Sequence, residues 1–81
     1  MFIEQYDGLY YIGSDHKKYE LLHGVTSNNY NSDIIFIFDR NDNHEPKVID
    51  FVYGGFKHLQ EDCIQAIIEN YIKNLKEKGD R

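Results

Sequence analysis

From residue 33 to residue 38 the chain reads Asp-Ile-Ile-Phe-Ile-Phe, five large apolar residues in a row between polar stretches. A short apolar run without a polar interruption suits a β-strand covered on both faces. Side chains alternate along a strand, so Ile34, Phe36 and Phe38 share one face while Ile35 and Ile37 share the other. One cover is written in the C-terminal third. Leu59, Cys63, Ile64, Ile67, Ile68, Tyr71, Ile72 and Leu75 recur at spacings of three and four, which predicts an amphipathic helix over about 57–78 lying on the sheet, with Cys63 as a small buried residue. A single helix covers a single face. The other must be closed by curvature of the sheet, by N-terminal strands folding over it, or by a second molecule.

Alternation and turn signals place the remaining elements. Strands over about 2–6 and 9–13 flank Asp7-Gly8, a dipeptide that favours a type I′ hairpin. Gly13-Ser14-Asp15-His16 forms a second turn, and a strand over about 18–26 follows, with Tyr19, Leu21, His23 and Val25 on one face. Residues 27–32 make a polar loop around Tyr30. The apolar strand spans 33–39, a polar loop follows, and a strand over 47–53 completes a long-looped hairpin, with Ile49 and Phe51 toward the helix and Asp50 beside Val48 and Val52 on the opposite side. Gly54-Gly55 ends that strand. Glu61 and Asp62 near the helix start, and Lys73, Lys76 and Lys78 near its end, complement the helix dipole. The fold class expected is α+β: one small domain, an antiparallel sheet of four to five strands, and one C-terminal helix packed on one face.

At 81 residues the chain is close to the lower size limit for an independent core, so its stability should be modest or helped by a partner. It has no basic-plus-apolar leader and no apolar run approaching the ~18 residues of a membrane span, which predicts a cytoplasmic protein without membrane attachment. One cysteine excludes an internal disulfide. Residues with AT-rich codons (Phe, Tyr, Met, Ile, Asn, Lys) far outnumber Gly, Ala, Arg and Pro, which points to an AT-rich genome such as that of a bacterium, phage or plasmid. The net charge is −5, with 11 acids against 5 bases in residues 1–62 and 3 against 4 in residues 63–81. Direct nucleic-acid binding is disfavoured, because it needs a clustered basic surface.

Signals for chemistry are sparse. Asp39, Asn41, Asn43 and Asp50 fall at the first, third, fifth and twelfth positions of a calcium loop, but His44 replaces the turn glycine and Pro46 follows it. The match is poor, and a polar hairpin loop whose Asx residues bond their own backbone explains the segment better. His16, His23, His44 and His58 occur singly, without zinc-ligand spacing, so no metal or other cofactor is expected. Neither a nucleophile elbow nor a phosphate loop is present, and the expectation is a protein that is not an enzyme.

Seven tyrosines in 81 residues are more informative. Neighbouring Tyr10 and Tyr11 must point to opposite faces of a strand, and not all seven rings fit one small core. Tyrosine suits strands, yet it is also enriched at protein interfaces. The sequence therefore predicts a small acidic, non-enzymatic protein-binding module that contacts a basic partner through Tyr10, Tyr11, Tyr30, Asp39, Asp42 and Glu45. In its most concrete form this is a phage or mobile-element inhibitor that blocks the nucleic-acid-binding surface of a host protein such as a defence nuclease. The alternatives are a homodimeric structural or accessory protein that buries the sheet face left open by the helix, or a small-ligand or metal-binding domain using the 39–50 loop.

Overall fold

The computed structural model describes residues 1–5, 8–25, 32–41 and 46–78. Five strands, β1 (Phe2–Gln5), β2 (Gly8–Ile12), β3 (Lys18–Val25), β4 (Asp33–Asp39) and β5 (Lys47–Tyr53), are followed by a 3₁₀ turn at Phe56–His58 and one helix, α1 (Glu61–Lys78). The strands form a single antiparallel sheet in chain order, β1-β2-β3-β4-β5. The chain is thus α+β, with the helix lying across one face. No helix among the described residues is long and apolar enough to cross a membrane.

Alternation on the strands builds the core. Tyr11 and Phe2 face each other across β1 and β2, Tyr11 stands opposite Tyr19, Leu21 opposite Ile37, and Ile35 opposite Val52. These side chains meet Ile64, Ile68 and Ile72, one helical turn apart on α1, in one buried cluster. Burying each isoleucine contributes about 1.5–3 kcal/mol. Gly13 lets the turn after β2 lie close to α1: a Cβ there would stand 2.6 Å from Cδ1 of Ile72 and 2.8 Å from Oδ1 of Asp15, so any larger residue requires those side chains to shift.

Polar ties hold the helix to the sheet at the β2–β3 end. The Glu69 carboxylate accepts hydrogen bonds from the Tyr11 hydroxyl (3.0 Å), the Ser14 hydroxyl (2.6 Å) and the Ser14 amide (3.0 Å). Tyr71 donates its hydroxyl to Asp39 (2.7 Å), and Tyr19 donates to Asp15 (2.7 Å). Three phenols thereby enter or border the core with their polar ends satisfied.

The structure departs from the sequence reading at four places in its elements and faces, and Leu75 of the expected stripe is 47% exposed. The α-helix begins at Glu61, because residues 56–58 form a 3₁₀ turn and Leu59 is extended (φ −64°, ψ 125°). Cys63 is exposed, since the buried stripe runs through 64, 68 and 72 and places residue 63 past its edge. Gly8 is already a strand residue, opposite Gln5, while Asp7 of the expected turn lies outside the described residues. The fourth difference decides a whole face. A β-bulge pairs Ile37 with Asp50 but Phe38 with Val48, leaving Ile49 as the extra residue. Ile49 and Val52 therefore both pack toward the helix, and Phe51 turns to the opposite side.

Candidate interaction surface

The side of the sheet away from α1 is lined by the other half of each strand's alternation. Its cross-strand rows are Ile3, Tyr10, Glu20, Phe38 and Val48; then Leu22, Phe36 and Phe51; then Gly24, Ile34 and Tyr53. The N-terminal strands continue the same sheet and do not fold over this face, on which Ile34 and Tyr10 are nonetheless buried, at 7 and 8% exposed. Its aromatic rings form a continuous chain: Phe38 to Phe36 at 6.4 Å between centroids, Phe36 to Phe51 at 6.3 Å, and Phe51 to Tyr53 at 5.8 Å. Rings at these separations support one another and hold a fixed relief. Leu22, Val48, Phe51 and Tyr53 remain 46, 52, 44 and 61% exposed.

The charges on this face are few and lie toward one end. The Lys18 ammonium sits 4.3 Å from the centre of the Tyr10 ring, and the Arg40 guanidinium 5.8 Å from that of Phe38. Arg40 also pairs with Glu20. The arrangement is an apolar surface bordered at one end by charged side chains.

The residues singled out from the sequence are distributed otherwise. Tyr11 is only 3% exposed and donates to Glu69 inside the sheet–helix core, so its ring is not presented to a partner. Burial, and then the Glu69 carboxylate, push its phenol up to about 12. Tyr10 is on the open face but 8% exposed, with Lys18 above its ring. Asp39 faces the helix and accepts from Tyr71 and from the backbone and side-chain nitrogens of Asn41 (both 2.9 Å). Burial acts to raise its pKa, but the Asn41 amide, the Tyr71 hydroxyl, the Asn41 side chain and Lys17 outweigh burial and hold it below the usual carboxylate value. Tyr30, Asp42 and Glu45 lie outside the described residues.

For the 39–50 segment, residues 42–45 lie outside the described part. The Asp50 carboxylate turns to its neighbour's backbone, accepting from the Phe51 amide at 2.7 Å. Among the described residues no three His, Cys, Asp or Glu side chains converge as metal ligands. His23 meets Asp33 at 2.9 Å beside the Phe56 ring, His16 sits in a turn with φ 66°, and His58 lies in the 3₁₀ turn. These histidines are dispersed around the molecule and do not form one site.

The open-face residues Leu22, Phe36, Phe38, Val48, Phe51 and Tyr53 were not singled out as a contact set by sequence reasoning. Part of the signal was available, since Ile34, Phe36 and Phe38 alternate away from Ile35 and Ile37. The chain matches no family model, no curated protein and no solved structure.

Proposed function

We propose that this chain is a non-enzymatic protein-binding module that engages its partner through the open face of its sheet. The observation that carries this reading is the linked ring chain Phe38-Phe36-Phe51-Tyr53, flanked by exposed Leu22 and Val48, on the face opposite the helix. Apolar sheet faces are normally buried against another layer, and contiguous exposed apolar patches mark interaction sites. Aromatic anchors at the centre of such a patch supply most of the binding energy. The basic partner expected from the net charge draws little support from this face, where the described charges are Lys18, Arg40 and Glu20. An apolar partner surface fits it better.

Photo-crosslinking tests the reading whatever the partner is. Benzoylphenylalanine in place of Phe51 is expected to give a covalent protein adduct in cell extract, whereas the same group in place of Leu75, exposed on α1, gives none. The adduct mass distinguishes a second copy of the chain from another protein. No adduct at residue 51, or equal adducts at 51 and 75, would contradict the proposal.

A further inference from the structure

We infer that the occupant of the open face is a second copy of this chain, the two sheets packing face to face about a two-fold axis. This rests on the reading of that face as a binding surface and adds the identity of the partner. Charge is the first argument. Each chain carries a net charge of −5, so two copies repel unless they meet where carboxylates are scarce. Glu20 is the one described carboxylate on the open face, and Arg40 pairs with it. The other described acids lie elsewhere: Asp15 in the β2–β3 turn, Glu4, Asp33 and Asp39 on the helix side, Asp50 at the bulge, and Glu61, Asp62, Glu69 and Glu77 on α1. Contact through the open face holds these acidic surfaces apart.

Area is the second argument. At ~200 Å² for a fully exposed large side chain, the exposed fractions of Leu22, Val48, Phe51 and Tyr53 amount to roughly 400 Å² per copy. Two copies double this, and Phe36, Phe38 and the charged side chains at one end bring the total toward the ~1,200 Å² at which specific interfaces begin.

The sheet edges are poorly suited to the alternative of strand addition. β1 has only four residues. β5 is interrupted by its bulge, and the Phe51 amide is already bonded to Asp50. Face-to-face pairing uses the same patch on both copies and therefore closes at a dimer.

Sedimentation velocity of the purified chain over about 1–500 µM tests this, because association by mass action must vary with concentration. The wild type is expected to shift from monomer to dimer. Leu22→Lys/Phe51→Lys places two lysines beside Phe36 and is expected to weaken the dimer at least ~100-fold, while thermal unfolding shows the monomer still folded. The substitutions lower the net negative charge, so loss of the dimer cannot come from greater overall repulsion. Leu75→Lys on α1 is the control and should leave the dimer intact. A wild type that stays monomeric throughout, or a dimer that survives the double substitution, would overturn the inference. A monomer that nevertheless gives a heterologous adduct at residue 51 would remove the second copy and leave the binding-face reading standing.

Discussion

Ile68→Ala is expected to cost about 2–5 kcal/mol, because it empties the centre of the sheet–helix interface. Ile68 is fully buried, one turn from Ile64 and from Ile72, in the cluster through which the helix packs on the sheet. For a domain of this size each kcal/mol lowers the melting temperature by ~4–8 °C, so the variant should melt at least ~8 °C below wild type or fail to fold. Leu75→Ala, half-exposed near the end of the same helix, should change stability by less than ~0.5 kcal/mol. Thermal unfolding followed by circular dichroism checks both. Equal effects at the two positions would mean that α1 does not hold the sheet through its 64-68-72 stripe.

The second large effect is loss of stability at both ends of the pH range. Burial, and then the Glu69 carboxylate, hold the Tyr11 phenol near 12; burial, and then Asp15, raise that of Tyr19 as well. The folded state therefore keeps phenolic protons that the unfolded chain releases above its ordinary value of about 10. Their stabilisation is complete below pH ~10 and is lost as pH rises toward and through the folded values.

The carboxylates behave in the opposite sense. Hydrogen bonding from the Ser14 hydroxyl lowers Glu69 against the opposing effect of burial, with Tyr11 and the Ser14 amide adding to it, and Asp39 is lowered too. Their contribution is present above the unfolded value of about 4 and is lost as pH falls through the depressed folded values. Urea midpoints should thus be level between about pH 5 and 9 and fall on either side. Tyr11→Phe should lessen the alkaline fall, leaving the part due to Tyr19, at a cost of about 1 kcal/mol near neutrality for the lost hydrogen bond. A wild-type midpoint unchanged up to pH ~12 would contradict the buried phenols.

Both effects depend on parts of the fold that were legible to different degrees. The run from Ile34 to Phe38 and the 64-67-68-71-72 spacing identify the central strand and its covering helix, because each pattern has one period and enough residues to show it. The orientation of Phe51 was not legible. The bulge at Ile49 changes the parity of β5, and a bulge is set by pairing with β4 rather than by the residues of β5 alone. Cys63 and Tyr11 show the same limit. A stripe at helical spacing does not reveal its buried width, and a tyrosine on a strand does not reveal whether a partner such as Glu69 waits inside the fold. The need for a cover on the second sheet face was readable from Phe36 and Phe38; the assembled surface was not, because Leu22 and Tyr53 join them only through cross-strand register.

Hydroxyl-radical footprinting tests the central claim most directly, by comparing the chain in native cell extract with the purified chain diluted until no associated form remains. Leu22, Phe36, Phe51 and Tyr53 should label more slowly in the extract, while Leu75 on α1 labels equally in both. Equal labelling of the four face residues under the two conditions would contradict the account.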